Sequence, residues 1–83
     1  MHKPTETKEH PSLGGTIKIY KFSNGYGASV VNNSHSYGGE EGLWELAVLK
    51  GDAINYDTPI TDDVLGWLSD QDVENTLDQI QAL

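Results

Sequence analysis

Carboxylates at helical spacing are the side chains of this chain whose types and positions best suit a chemical role. Asp70, Glu74 and Asp78 are four residues apart, so a helix would place them in one row with about 6 Å between neighbours along its axis. Asp62 and Asp63 precede them in the chain. Such a row could imitate a phosphate backbone or bind Lys and Arg side chains of a partner. The alternative is a solvated helix face whose first-turn acids stabilise the positive end of the helix dipole.

The net charge of −8 comes from the last part of the chain. Residues 1–50 hold equal numbers of acids and lysines, whereas residues 51–83 hold acids and no Lys or Arg. Like charges four residues apart on a helix destabilise it by about 0.2–0.5 kcal/mol per pair, and a lysine would relieve this. Its absence favours a recognition surface, because a face of one sign attracts basic partners. The acids of this segment are Asp52, Asp57, Asp62, Asp63, Asp70, Asp72, Glu74 and Asp78.

Composition excludes several other classes of function. Arginine is absent, and five scattered lysines would release few counterions from nucleic acid, so direct nucleic-acid binding is not expected. The lack of cysteine excludes disulfide frameworks, cysteine-ligated zinc and thiol catalysis, and it fits a reducing compartment. No apolar run approaches the roughly 20 residues of a membrane helix, and the N-terminus has no secretory signal. We therefore expect a cytoplasmic protein without a membrane partner.

Patterns typical of enzymes and cofactor sites match poorly. Asp70–Glu74 has oxygen ligands at alternate positions, but Asn75 and Gln81 replace the Gly and Glu that a calcium loop requires. Gly25–Gly27 lacks the third glycine of a dinucleotide-binding loop and lies within a predicted hairpin. His35 has serine neighbours, but nothing in the sequence supplies the third group of a catalytic triad. We therefore predict no catalytic residue, metal or cofactor.

The apolar pattern predicts the elements that position these side chains. Residues 1–15 are polar and contain two prolines, which predicts a flexible N-terminal arm, and residues 16–83 form a single domain. Alternation of apolar and polar residues indicates an antiparallel sheet. The predicted strands are 16–22, 26–31, 43–49 and a short one at 53–56.

The first two strands are joined by Asn24-Gly25, the strongest short hairpin signal, which predicts a two-residue type I′ turn. In that register Ile19 pairs with Val30, and Tyr20 and Phe22 lie on the opposite face. Helices can cover only one face of a single sheet, and an exposed apolar patch on the other is typical of an interface. Tyr20 and Phe22 are therefore predicted to contact a partner or a second copy of the chain.

Helical signals follow the sheet. We predict a short helix over Asp62–Leu68 and a second helix with Ser69 as N-cap and Asp72 in the capping-box position. Trp44 and Trp67 are expected to pack in the core. The predicted fold class is α+β, a small antiparallel sheet with two C-terminal helices packed on one face. The apolar stripe of the second helix is Val73, Leu77 and Ile80.

From Thr16 onward the chain resembles a type of small accessory protein encoded by tailed bacteriophages. The resemblance covers about four-fifths of the chain and omits residues 1–15. It implies expression in a bacterial cytoplasm and similarity to proteins that bind and redirect or block host enzymes, including restriction and CRISPR effectors. It implies no catalytic residue. The segments that carry it are Tyr20–Gly27, Gly42–Leu49, Tyr56–Val64 and the closing Gln81–Leu83.

Together these features predict a non-enzymatic protein that binds a basic host protein and modulates or inhibits it, presenting a nucleic-acid-like acidic surface to a basic groove. The alternative is a self-assembling structural or accessory protein with no dedicated host target, a homodimer through the sheet face. A third class, a small enzyme or ligand-binding domain, would need a deep pocket around His35, Tyr37 and Glu40. The predicted partner-binding residues are Asp62, Asp63, Asp70, Glu74, Asp78, Tyr20 and Phe22.

Overall fold

A computed structural model of the chain describes residues 1–9, 14–51, 53–55, 57–60 and 64–83. Over these ranges, six strands form one antiparallel sheet in the order β1-β2-β3-β4, and β5 and β6 both pair with β4. The elements are β1 (Glu6–Glu9), β2 (Thr16–Lys21), β3 (Tyr26–Asn32), a 3-10 helix (Gly39–Glu41), β4 (Trp44–Lys50), β5 (Ala53–Ile54), β6 (Leu65–Leu68) and α1 (Asp70–Gln81).

The prediction of two C-terminal helices is wrong, because β6 occupies most of the first predicted helix. Leu65–Leu68 pairs with β4 through Trp44↔Leu68 and Leu46↔Leu65, while residues 61–63 lie outside the described residues. A short apolar run does not distinguish strand from helix, and Gly66 disfavours a helix by about 1 kcal/mol. Pairing with β4 also satisfies backbone groups that would otherwise form a free edge. The fold is therefore α+β, with one α-helix and one short 3-10 helix over the described ranges.

The predicted hairpin register is wrong by one residue, because the β2–β3 loop has three residues, Ser23–Gly25. The Phe22 backbone N–H donates to Tyr26 O at 2.8 Å, and Tyr20 pairs with Ala28. Gly25 has a φ of 88°, the left-handed conformation that closes a three-residue loop with a bulge. Because side chains alternate along a strand, this slip moves every side chain of β2 to the other face relative to β3.

The core lies between the sheet and α1. Tyr20, predicted to contact a partner, is 3% exposed and belongs to this core. Ser69 caps α1, and both hydrogen bonds of the capping box with Asp72 are present, as predicted. The apolar stripe of α1 is buried, also as predicted. The core residues are Tyr20, Ala28, Val30, Leu46, Val48, Val73, Leu77 and Ile80.

The sheet face away from α1 carries a second apolar set. The pairings Ile17↔Val31 and Leu49↔Ile54 place these side chains together on that face. Leu49 is buried, Ile17 and Val31 are half-buried, and Ile54 is 51% exposed. The corrected register therefore gives this face Ile17, Ile19, Val31, Ala47, Leu49 and Ile54 in place of Tyr20 and Phe22.

The segment predicted to be a flexible arm contains a strand in the structure. β1 pairs with β2 over Glu6↔Ile19 to Glu9↔Thr16, and all of its side chains are exposed. Charged, polar edge strands are common because they discourage pairing with other chains. A strand held by backbone hydrogen bonds at an edge needs no apolar pattern, so composition did not reveal it. Residues 10–13 of the predicted arm lie outside the described residues.

Candidate functional site

The carboxylates of Asp70, Glu74 and Asp78, the acidic row, follow one another along one flank of α1, where Asp70 and Asp78 are exposed and Glu74 is half-buried. Each accepts a hydrogen bond from a neighbouring segment. The Trp44 indole N–H donates to Asp70 Oδ1 at 2.8 Å, and the His2 backbone N–H donates to Glu74 Oε1 at 2.7 Å. The His2 ring donates from Nε2 to Asp78 Oδ1 at 2.7 Å. The row is thus held in place by two aromatic rings and one backbone amide.

Lysine neutralises little of this charge. In the described parts of the chain, the His2 ring lies within salt-bridge distance of an α1 carboxylate and no lysine does. Lys18 Nζ instead lies 4.6 Å from the centroid of the Trp44 ring, and Lys50 Nζ lies 5.6 Å from that of Tyr26. The Asp78 side chain remains 72% exposed beside His2. The acidic row therefore keeps most of its capacity to attract cations.

A groove of about 350 Å³ runs between the first residues of the chain and α1. Burial raises the pKa of the Tyr20 phenol, and the neighbouring Glu74 carboxylate raises it further. The Tyr20 phenol therefore keeps its proton to a higher pH than an ordinary tyrosine. Asp70 and Glu74 of the acidic row line the groove and can accept hydrogen bonds, whereas Lys3 and Lys18 in the same lining reduce its negative charge. Its lining includes His2, Lys18, Tyr20, Trp44, Asp70 and Glu74.

The other predicted contact residues do not lie in the acidic row. Tyr20 offers no contact area to a partner, since its side chain is buried. Phe22 is half-buried, and its ring meets the His2 ring edge-on with the centroids 5.4 Å apart. Phe22 thus borders the acidic row through His2. Asp62 and Asp63 lie outside the described residues.

A second exposed surface, the aromatic cleft, was missed by sequence reasoning. The prediction that Trp67 packs in the core is wrong, because its side chain is 58% exposed, and Tyr37 is 60% exposed. Trp44, in contrast, is half-buried and packs against the core. The sequence places a glycine beside each ring, at Tyr37-Gly38 and Gly66-Trp67, but it also flanks Tyr26 with glycines, so this signal is not specific to the cleft. The cleft, of about 250 Å³, is lined by Ser34, Ser36, Tyr37, Gly38, Glu40, Glu41 and Trp67.

Close backbone contact holds the two aromatic residues of the cleft together. The Trp67 N–H donates to Tyr37 O at 3.2 Å, and the Tyr37 N–H donates to Glu45 Oε2 at 2.8 Å. A Cβ atom at Gly38 would lie 2.9 Å from Trp67 Cα, and one at Gly66 would lie 2.5 Å from Tyr37 Cβ. Each glycine therefore makes room for the aromatic residue of the opposite segment.

The residues considered for catalysis do not assemble. His35 is exposed, its backbone N–H donates to Asn33 Oδ1 at 2.8 Å, and it does not line the cleft that Tyr37 and Glu40 border. Among the residues with described positions, no group of three or more His, Asp or Glu side chains is placed to hold a metal ion. In those same ranges, no helix has both the length and the apolar character that crossing a bilayer requires.

Comparison with protein-family models, with curated proteins and with solved structures finds no match to this chain. The resemblance to accessory proteins of tailed bacteriophages therefore stays a prediction. What this structure contributes to function is the geometry of two surfaces, the acidic row and the aromatic cleft.

Proposed function

We propose that this chain is a non-enzymatic protein that binds a basic surface of a partner protein through the acidic row. One observation carries the proposal. Asp70, Glu74 and Asp78 lie in sequence on one helix face, and no lysine pairs with them in the described parts of the chain. A merely solvated helix face would gain from interspersed lysines, since opposite charges four residues apart stabilise a helix.

His2 illustrates how a partner would bind. Its backbone N–H reaches Glu74 and its ring reaches Asp78, so two adjacent carboxylates accept from one incoming residue. A Lys or Arg side chain of the partner would use the remaining carboxylate oxygens or displace His2. Each exposed ion pair contributes about 0–1 kcal/mol. Several such pairs would speed association more than they would tighten it.

The proposed partner is a bacterial protein with a basic groove, of the kind that holds nucleic acid. This partner class follows from the resemblance to phage accessory proteins and from the one-sign charge of the row. Inhibition would then result from occupation of the groove by carboxylates. Charge attraction is screened over about 8 Å at physiological salt, so added salt should weaken the complex.

Affinity capture from bacterial lysate tests this proposal, with tagged chain as bait at low and high salt and mass spectrometry as readout. The row variant is Asp70→Asn, Glu74→Gln and Asp78→Asn. The matched control, Glu6→Gln, Glu9→Gln and Asp57→Asn, removes the same charge from exposed residues elsewhere. We expect a basic protein that the native chain and the control capture at low salt and the row variant does not. Equal capture by both variants would overturn the proposal.

Self-association is a second candidate function, favoured by the apolar sheet face away from α1. Ile54 is 51% exposed there, and it pairs with Leu49 at one end of the face. A dimer through this face would survive high salt, since apolar burial does not depend on charge. Sedimentation of the native chain and of Ile19→Asp tests it. A native monomer at every salt and protein concentration would reject this candidate.

A further inference from the structure

Trp67 has a backbone conformation that bulky residues rarely adopt. Its φ is 59°, and in the described parts of the chain it is the one residue other than glycine with a positive φ. For a large side chain the left-handed region is strained, and such strain concentrates at ligand-binding and catalytic sites. Burial of the indole would offset the strain, but the side chain is 58% exposed. The irregularity in the β4–β6 pairing, between Trp44↔Leu68 and Leu46↔Leu65, gives a structural reason for the positive φ. A bulge favours glycine at such a position, so it does not account for an exposed tryptophan there.

The contacts around Trp67 fix the shape of the aromatic cleft without a ligand. Both backbone polar groups of Tyr37 are hydrogen-bonded, since its N–H donates to Glu45 Oε2 and its carbonyl O accepts from the Trp67 N–H. Gly38 and Gly66 allow the two segments to approach closely. The two exposed rings therefore border the cleft without depending on a ligand to bring them together.

The negative charge of the cleft favours a cationic ligand. Glu40 and Glu41 line it from the 3-10 helix, and no lysine is among its lining residues. Aromatic faces attract cations through the ring quadrupole, and a carboxylate beside them adds an ion pair. A guanidinium group suits both, since it is planar, stacks on aromatic rings and donates in parallel to a carboxylate. The cleft volume of about 250 Å³ is below the usual range for small-molecule pockets, which suits a single side chain.

We propose that the aromatic cleft binds an arginine side chain of the partner protein, between the Tyr37 and Trp67 rings and the carboxylates of Glu40 and Glu41. The inference rests on the proposed function for the presence of a basic partner, but it assigns a different set of residues. The acidic row would attract the partner over distance. The cleft would fix its orientation by holding one defined side chain.

Nuclear magnetic resonance titration of the full chain tests this proposal without the partner. The probe is a blocked peptide, acetyl-Gly-Arg-Gly-amide, and its neutral isostere has citrulline in place of arginine. We expect the arginine peptide to shift the Trp67 indole resonance and the Gly38 amide with saturation at millimolar concentration. The citrulline peptide should shift them several-fold less. The Trp44 indole N–H donates to Asp70, so its resonance reports binding at the acidic row separately, and the Ala47 amide serves as the control outside both surfaces.

Two variants assign the effect to the cleft. Glu40→Gln with Glu41→Gln should weaken arginine-peptide binding several-fold, whereas Glu6→Gln with Glu9→Gln should leave it unchanged. Absence of a saturable shift, or equal shifts by the arginine and citrulline peptides, would overturn the proposal. Tighter binding of a neutral disaccharide would overturn it as well, because stacking without charge would then define the ligand.

The result of the peptide titration can be distinguished from the result of the capture experiment on the acidic row. The row variant Asp70→Asn, Glu74→Gln and Asp78→Asn should retain the peptide-induced shift at Trp67, because none of these residues lines the cleft. Loss of partner capture by the row variant with an intact Trp67 shift would support both proposals. A partner that depends on the row, together with no shift at Trp67, would reject the cleft alone.

Discussion

The side chain of Asn24, in the β2–β3 loop, donates from Nδ2 to the backbone O of Ile80 at the end of α1, 2.9 Å away. The same amide lies 3.1 Å from Gln81 O, and Asn24 Oδ1 accepts from the Tyr26 N–H at 3.0 Å. The last carbonyls of a helix have no partner within the helix. Asn24 therefore shapes its own loop and caps a helix that begins far along the chain.

Replacement of Asn24 by Ala should lower the free energy of unfolding by about 1–2 kcal/mol, because the loop and the helix end lose their shared hydrogen bonds. Asn24→Asp should destabilise at least as much, since it removes the donor and places negative charge at the negative end of the helix dipole. Urea denaturation followed by circular dichroism measures both. Ser23→Ala, an exposed neighbour in the same loop, is the control and should change stability by less than about 0.5 kcal/mol. Equal stability of Asn24→Ala and the native chain would contradict this role.

Replacement of Trp67 by Gly should raise the free energy of unfolding by about 1 kcal/mol, because glycine adopts a positive φ without strain. Trp67→Ala removes the same ring but keeps a Cβ atom in the strained conformation, so it should be less stable than Trp67→Gly. Thermal unfolding compares the two variants with the native chain. Both variants should lose arginine-peptide binding at the cleft. A Trp67→Gly variant less stable than Trp67→Ala would show that the backbone is not strained there.

Replacement of His2 by Ala should strengthen binding of a basic peptide to the acidic row by up to about fivefold. The His2 side chain, 15% exposed, contacts the Asp78 side chain, 72% exposed. An exposed pair of this kind is worth about 0.2–1 kcal/mol, and a cationic ligand must compete with it. Calorimetric titration with a short oligolysine peptide at low salt measures the change. His35→Ala, which removes an exposed histidine from a loop outside the groove, is the control. Weaker binding by His2→Ala would mean that His2 supports the row instead of competing for it.

Stability should fall as the pH rises above 10.0, the ordinary pKa of a tyrosine phenol. Burial and Glu74 raise the pKa of Tyr20 in the folded protein, so the folded state keeps its proton where the unfolded state has lost it. The stabilisation is complete below the unfolded pKa and is lost as the pH rises through the folded pKa. Tyr20→Phe should therefore have a flatter alkaline limb in a plot of unfolding free energy against pH. Parallel limbs for the two proteins would contradict the linkage.

Local signals explain what could be predicted from the sequence. Ser69 and Asp72 mark the start of α1 within four residues, and the apolar stripe that ends at Ile80 follows a helical period. The spacing of the acidic row depends on that helix alone. Each of these features lies within one element, so no knowledge of the rest of the fold was needed to predict it.

Contacts between distant segments explain what could not be predicted. Asn24-Gly25 is compatible with loops of two or three residues, and the fold adopts the longer one, which places Tyr20 in the core and Asn24 against Ile80. β6 forms because it pairs with the edge of β4, and residues 65–68 alone do not reveal that this edge is nearby. The aromatic cleft depends on β6, since the Trp67 N–H reaches Tyr37 O only when β6 is in the sheet.

The pairing between β4 and β6 has a dynamic consequence for the cleft. It consists of two pairs with an irregularity between Trp44 and Leu46, whereas β3 pairs continuously with β2 and β4. Short, interrupted pairings open with a lower free energy than continuous ones. We expect hydrogen exchange at the Trp67 amide to be faster than at β3 amides and to slow when the cleft is occupied. Ligand binding at the Trp67 ring would thus make the backbone of β6, at the margin of the sheet, more rigid, and slower exchange of the Trp67 amide would report it.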